Sequence, residues 1–242
     1  LEAARCLDGG GLVAFPTETV YGVGARGDLP DAMKRLRALK ERPEEQAFTL
    51  HVADPSKVPG DLEISGTARR LMERFWPGPL TLVLSSRGVR IPAHPVALAL
   101  LELAGGPVYA TSANRRGEPA PISAVEAART LPEGVDILLD AGRCVVAQAS
   151  AVVRVTGERW EVLREGLLTR EILARGAALR TLLVCTGNSC RSPMAQALFE
   201  KVAARRLGVP ASELLWQGLL VQSVGTAVIA KEASANAQRV IR

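Results

Sequence analysis

Two cations, a hydroxyl and an amide form the first chemically suggestive set in this 242-residue chain. Lys40 and Arg42 flank Glu41 ahead of Pro43, and Ser112 and Asn114 flank Ala113. Lysine offers a compact point charge and arginine a planar fork that grips two oxygens, so this pair suits phosphate. A hydroxyl and an amide at i and i+2, in a short loop after a strand, meet one ligand from one direction. Plainer readings exist: Lys34, Arg35 and Arg37 extend the pair into a solvated basic face, and Asn-Arg-Arg-Gly makes an Asx-type turn. A separate set is Cys185 and Arg191 with five residues between them. Backbone N–H groups of such a loop, together with a helix N-terminus, encircle an oxyanion while Arg191 forks onto it. The same field holds Cys185 as a thiolate able to attack phosphorus. Asn188 and Ser192 would fix the loop and assist the thiolate, and Cys190 could trap an oxidised Cys185 as a disulfide.

These residues need elements to hold them. Gly10-Gly11 followed by Leu12 to Phe15 reads as a buried strand ended by Pro16, and Leu29 to Lys40 as a helix capped by Asp28 and stopped by Pro43. Strands are expected at Phe48 to Val52, Leu80 to Leu84, Val108 to Ala110, Ile137 to Leu139, Ala151 to Val155 and Trp160 to Leu163. Helices are expected at Thr67 to Phe75, Val96 to Leu103 and Ala124 to Thr130. Trp76-Pro77-Gly78-Pro79 reads as a structural turn anchored by Trp76. The irregular mixture implies an α/β domain with a twisted mixed sheet rather than a strict βαβ repeat. A connecting helix from Thr169 to Ala174, closed by Gly176, precedes a strand from Leu182 and a helix from Pro193 to about Leu207. The expected organisation is a domain over 1–170, a linker over 171–179 and a second unit over 180–242.

The islands Pro16-Thr17-Glu18-Thr19-Val20-Tyr21-Gly22, Lys40-Glu41-Arg42-Pro43 and Thr111-Ser112-Ala113-Asn114, in this order and spacing, resemble the YrdC family. Leu50-His51-Val52, Trp76 to Thr81, Arg90 to Pro95, Ser150 to Val153 and Leu163 to Gly166 extend the resemblance over about residues 1–170. It implies synthesis of threonylcarbamoyl-adenylate from L-threonine, bicarbonate and ATP, with release of pyrophosphate. It implies threonine-binding roles for Thr19, His51, Arg90, Ser112 and Ser150, and ATP-binding roles for Lys40, Arg42, Gln46, Ser86, Asn114 and Arg164. Tyr21 would wall the pocket. Taken alone, His51 fits a satisfied core histidine and Arg90 a surface cation. Departures from the family pattern are Gln46-Ala47 where Lys or Asn and often Lys-Pro stand, Ile122 for a Thr, Ala151 for a Thr, and a short loop over Ser85 to Val89. Mg²⁺ is expected with ATP and no tightly bound protein metal. The adenylate would pass to a separate tRNA threonylcarbamoyl transferase complex, so tRNA need not bind.

Residues 182–192, with Met194 to Ala197 and Ser223 to Thr226, resemble the low-molecular-weight phosphatase family, which includes arsenate reductases. That family's general acid is an Asp in an Asp-Pro pair, and no Asp follows Asp140 here. Leaving-group protonation contributes about 10²–10⁴-fold. The second unit therefore reads as a partial doubly wound α/β unit of phosphatase type, expected to bind oxyanions better than it turns over phosphoesters.

Whole-chain properties restrict the remaining classes. A formal charge of +5 and a pI near 9.3 favour an anionic partner, which ATP or a phosphate satisfies as well as tRNA. Aromatics at 4% with no basic stripe interleaved among them weaken a nucleic-acid-binding module. A cysteine-dependent phosphatase or arsenate reductase with the first domain as accessory is the other alternative. Carbamoyltransferases of hydrogenase maturation carry a related unit, but their acylphosphatase and zinc-finger companions are missing from the sequence. Cys6, Cys144, Cys185 and Cys190 give no paired CxxC spacing, which suits a reduced cytoplasmic protein. Apolar runs are broken before they could span a bilayer, and no membrane partner is expected.

Overall fold

The computed structural model describes residues 1–131, 133–227 and 233–241, which divide into two compact units, Leu1–Arg170 and Glu171–Arg242. In the first unit α1 (Glu2–Asp8) leads into β1 (Val13–Phe15) and β2 (Gly22–Arg26), followed by α2 (Pro30–Leu39) and β3 (Thr49–His51). Next come α3 (Gly66–Phe75), β4 (Leu80–Leu84), β5 (Arg87–Arg90), α4 (Pro95–Leu103) and β6 (Val108–Ser112). The unit closes with α5 (Ala124–Thr130), β7 (Ile137–Leu138), β8 (Ala151–Thr156) and β9 (Arg159–Arg164). The strands form one nine-stranded sheet in the order β7-β1-β2-β6-β3-β5-β4-β8-β9. Pairing is mixed: β3 runs parallel to β5 and antiparallel to β6, while β4 is antiparallel to β5 and parallel to β8.

Strand alternation sorts the core onto two faces. Val23 and Ala25 of β2 join Ala32 and Leu36 of α2 and Ala124 and Ala127 of α5 in one buried cluster. Val13 and Phe15 of β1, with Val108 and Ala110 of β6, join Ala3 and Leu7 of α1 and Ala97 and Leu100 of α4 in the other. Because helices cover both faces, β1 reads as a continuous apolar run rather than an alternating one. Trp76 anchors its turn as expected: the ring is buried and Nε1 donates to the Leu80 carbonyl at 2.7 Å.

Several local expectations are corrected. Asp28 does not cap α2; the N-cap is Leu29, and Pro30 opens the helix. Asp28 instead accepts from Arg26 Nε at 2.8 Å and Nη2 at 2.7 Å, because a forked charge-assisted pair outweighs one cap bond. β2, β5 and α1 are elements the pattern reading did not contain. In the second unit α6 (Arg170–Ala177) runs through Gly176, β10 (Leu179–Cys185) starts three residues before Leu182, and α7 (Arg191–Leu207) starts two before Pro193. β11 (Leu219–Gly225) lies parallel to β10, and α7 packs on both strands as a β-α-β crossover, with α8 (Ala235–Ile241) against α7.

Candidate functional site

A cavity of about 300 Å³ opens over the first unit's sheet, lined from β2, β3, β4, β6 and β8 and by Arg42, Arg90 and Arg164. Its lining contains no Asp or Glu, so the site is built for anions. Arg90, Ser112, His51, Ser150, Ser86, Arg42 and Arg164 all reach it.

At one end Arg90 is buried and ion-paired: Nη2 donates to Glu18 Oε1 at 2.6 Å and Thr19 Oγ1 at 2.7 Å, and Nε to the Gly78 carbonyl at 3.3 Å. Thr17 Oγ1 donates to the Val20 carbonyl at 2.6 Å, so in the 2.8 Å Thr17–Thr19 contact it is Thr19 that donates. Thr19 thus sits behind Arg90, fully buried, with one oxygen lone pair uncommitted. His51 is also buried, and that burial, with Arg90 close by, holds its pKa down to about 3. The ring is therefore neutral near pH 7. Nδ1 lies 3.0 Å from the Thr49 carbonyl, which can only accept, so Nδ1 carries the proton and Nε2 is an acceptor.

Elsewhere on the lining Ser150 Oγ lies 3.0 Å from Thr81 Oγ1, and the Ser150 carbonyl accepts from Arg164 Nε at 3.1 Å and Nη2 at 2.9 Å. Burial, then Arg90, lowers the Arg164 pKa. Arg42 stacks on Phe48 at 4.8 Å from the ring centre, touches Thr111 Oγ1 at 3.5 Å, and leaves its buried Nε without a partner. A guanidinium held by a ring face, with Nη1 in only a long contact to Thr111 and no carboxylate partner among the described residues, is available to an oxyanion through its terminal nitrogens.

Lys40 is placed differently from Arg42. Its Nζ is turned away from the cavity onto the Ser-Ala-Asn loop, donating to the Ser112 carbonyl at 2.8 Å, to the Asn114 carbonyl, and to Asn114 Oδ1 at 3.3 Å. Burial and then Arg42 lower its pKa to about 8. Asn114 accepts from Ser112 Oγ and donates through Nδ2 to the carbonyls of Arg115 at 3.0 Å and Glu118 at 2.7 Å. Lys40 and Asn114 thus brace the loop that presents Ser112. Gln46 is exposed, and Ala47 rather than Gln46 reaches the lining. Tyr21 lies in the apolar core, its hydroxyl donating to the Gly142 carbonyl at 2.7 Å, and does not wall the cavity. Pattern reading missed Thr81 and Glu18. Thr81 carried a signal, a lone polar residue inside an apolar strand, whereas Glu18, between Thr17 and Thr19 in a polar turn, carried none.

The second unit assembles a separate constellation. Cys185 Sγ lies 2.9 Å from Ser192 Oγ and accepts from the Asn188 backbone N–H at 3.2 Å, and Ser192 Oγ lies 2.7 Å from Asn188 Oδ1. The Ser192 hydroxyl and then backbone N–H groups bring the Cys185 pKa down to about 7. Ser192 has one proton for two acceptors, so ionisation of Cys185 turns it from Asn188 towards sulfur. Asn188 adopts φ 47°, and a Cβ on Gly225 would meet the Thr186 carbonyl oxygen at 2.9 Å, so glycine lets the loop close against β11. Arg191 opens α7 and is exposed.

Comparison with known proteins decides what these units belong to. A family model described as Sua5, YciO and YrdC, telomere recombination, matches residues 5–166. The chain belongs to the Sua5/YciO/YrdC family. A relative named threonylcarbamoyl-AMP synthase, from Bacillus subtilis (strain 168), is 35% identical over 70% of this chain and 54% of its own length. One of the same name from Pyrococcus abyssi (strain GE5 / Orsay) is 38% identical over 70% of this chain and 54% of its own. The crystal structure of P. abyssi Sua5 complexed with L-threonine superposes with a TM-score of 0.67 at 37% identity, covering 72% of this chain and 56% of that one. The chain spans about half the length of the curated relatives it matches. The mixed α/β sheet is thus the Sua5/YciO/YrdC fold. Residues 180–242 match a second family model, low molecular weight phosphotyrosine protein phosphatase.

Proposed function

We propose that the first unit is an L-threonylcarbamoyladenylate synthase, acting in threonylcarbamoyladenosine modification of tRNA. The observation that carries the reading is the carboxylate-free, three-arginine cavity of a Sua5/YciO/YrdC chain, in which one arginine is buried against an acid and another is held on a ring face with no acid partner among the described residues. Arg90 holds the carboxylate of threonine, Ser112, Ser150 and the lone pair of His51 Nε2 meet its hydroxyl and ammonium, and Thr19 serves threonine from behind by orienting Arg90. Arg42 forks onto the triphosphate, and Arg164 and Ser86 take the adenylate side. Lys40 and Asn114 serve ATP by holding the loop, and Gln46 borders the phosphates from the rim.

The amine of threonine attacks the carbon of bicarbonate, forming a C–N bond with loss of water. A carbamate oxygen then attacks the α-phosphorus, and the bond to the β-phosphate oxygen breaks to release pyrophosphate. Positioning three reactants together is the main demand, with cations placed where the leaving group gains charge. Mg²⁺ would accompany the nucleotide on its phosphate oxygens. The product passes to a tRNA threonylcarbamoyl transferase complex, which leaves direct tRNA contact unnecessary. No helix among the described residues is long and apolar enough to cross a membrane, and a cytoplasmic place beside tRNA fits the chemistry. Incubation with ATP, L-threonine and ¹³C-bicarbonate is expected to yield a labelled threonylcarbamoyl-adenylate by mass spectrometry; an unlabelled adenylate, or none, would contradict the assignment.

A second reading rests on the Cys185 loop, a Ser-assisted low-pKa thiol beside a helix N-terminus, which suits cysteine-dependent chemistry on a phosphate or arsenate oxyanion with Arg191 as its fork.

A further inference from the structure

We infer that Glu18 is a positioning residue for the amino-acid end of the cavity, fixing Arg90 so that only its Nη1 group faces the ligand. This rests on the reading that Arg90 holds an amino-acid carboxylate. Arginine has five N–H donors. At Arg90 the Nε–H goes to the Gly78 carbonyl and the two Nη2 hydrogens to Glu18 Oε1 and Thr19 Oγ1. Nη1 has no partner among the described residues, and since Arg90 is only 6% exposed while lining the cavity, that pair can meet little but the cavity's contents.

Glu18 is itself held rigidly. Its second oxygen, Oε2, accepts from the Ala93 N–H at 2.9 Å, and its carbonyl accepts from the Val146 N–H at 2.8 Å. The turn after β1 is thereby tied to the segment that follows β5. An acid accompanies Arg90 alone; Arg42 and Arg164 have no carboxylate partner among the described residues. With Nη2 occupied, Arg90 cannot offer the Nη1–Nη2 fork that grips two phosphate oxygens, whereas Arg42 has no carboxylate on either terminal nitrogen among the described residues. Glu18 therefore directs the carboxylate to Arg90 and the phosphates to Arg42.

The test is calorimetric binding of L-threonine and of ATP, each alone, to the full chain and to Glu18→Gln, Arg90→Gln and the double variant, with thermal melts confirming folding. Glu18→Gln is expected to weaken threonine roughly ten- to a hundredfold, the range for losing a hydrogen bond to a charged group, with ATP within about twofold. On the Arg90→Gln background it should cost nothing further, since it acts through that arginine. If Glu18→Gln melts early, Glu18→Asp, which keeps the charge one methylene short, carries the same expectation. Unchanged threonine affinity, equal losses for both ligands, or penalties that add in full would overturn the inference. A parent chain that binds ATP but no threonine would instead overturn the amino-acid reading beneath it.

Discussion

Three charged or titratable side chains carry separable expectations. Arg42→Ala should weaken ATP by about tenfold or more, because it removes a cation that lines the cavity with no acid partner among the described residues, while leaving threonine nearly unchanged. Thr19→Ala should do the reverse; titration calorimetry separates the two, and parallel losses would point to unfolding instead. His51, held near pKa 3 against an ordinary 6.5, binds fewer protons folded than unfolded in that interval. Stability therefore rises with pH there and is lost as pH falls from about 6.5 towards 3, which His51→Gln should partly flatten in melts across that range. Lys40 works at the other end of the scale. Above about pH 8 its ammonium deprotonates and its hold on the Ser112 and Asn114 carbonyls loosens, so turnover should decline. Its folded pKa lies below the ordinary 10.5, so linkage makes folding more favourable as pH rises past 8, and the decline is not unfolding. A Lys40→Met variant that keeps the same alkaline decline would contradict this.

Elements hold those side chains by close backbone approach. Gly166 follows β9, and a Cβ there would lie 2.5 Å from the Ala149 oxygen and 2.7 Å from the Ala151 nitrogen. Gly166→Ala must push the chain off β8 and with it Arg164, whose anchor is the Ser150 carbonyl. A loss of about 1–3 kcal/mol in denaturant melts is expected, with weakened ATP binding. The same kind of approach explains what pattern reading could not reach. β2 reads Gly-Val-Gly-Ala-Arg, poor in strand formers, yet a Cβ on Gly24 would stand 3.1 Å from the Tyr109 oxygen and 3.2 Å from the Ala110 Cβ of the paired strand. Glycine there answers a neighbour 86 residues away, which no local window contains. β5, Arg-Gly-Val-Arg, hides its register for the same reason, pairing with Thr49 to His51 on one side and Leu82 to Leu84 on the other. β1, β4 and β8, by contrast, announce themselves, because apolar runs bounded by Gly or Pro need no distant partner to be read. Site residues divide likewise: charge and spacing pick out Arg42 and Cys185, but only tertiary structure shows that Lys40 turns to the loop and that Glu18 stands behind Arg90.

At the scale of the whole molecule, the two proposed chemistries fall in two compact units, so each should be open to silencing alone. Alkylation of Cys185 by iodoacetamide should rise with a midpoint near pH 7, moved upward by Ser192→Ala, whose hydroxyl is the largest stabiliser of the thiolate. An activated aryl phosphate, whose leaving group barely needs a proton, should be the best substrate of that loop, and Cys185→Ser should abolish its cleavage while leaving adenylate synthesis intact. The central claim concerns the arginine cavity. Pyrophosphate release from ATP by the full chain, followed with each reactant omitted in turn, tests it most directly. Release that requires L-threonine and bicarbonate together is the predicted result; ATP breakdown indifferent to threonine would contradict it.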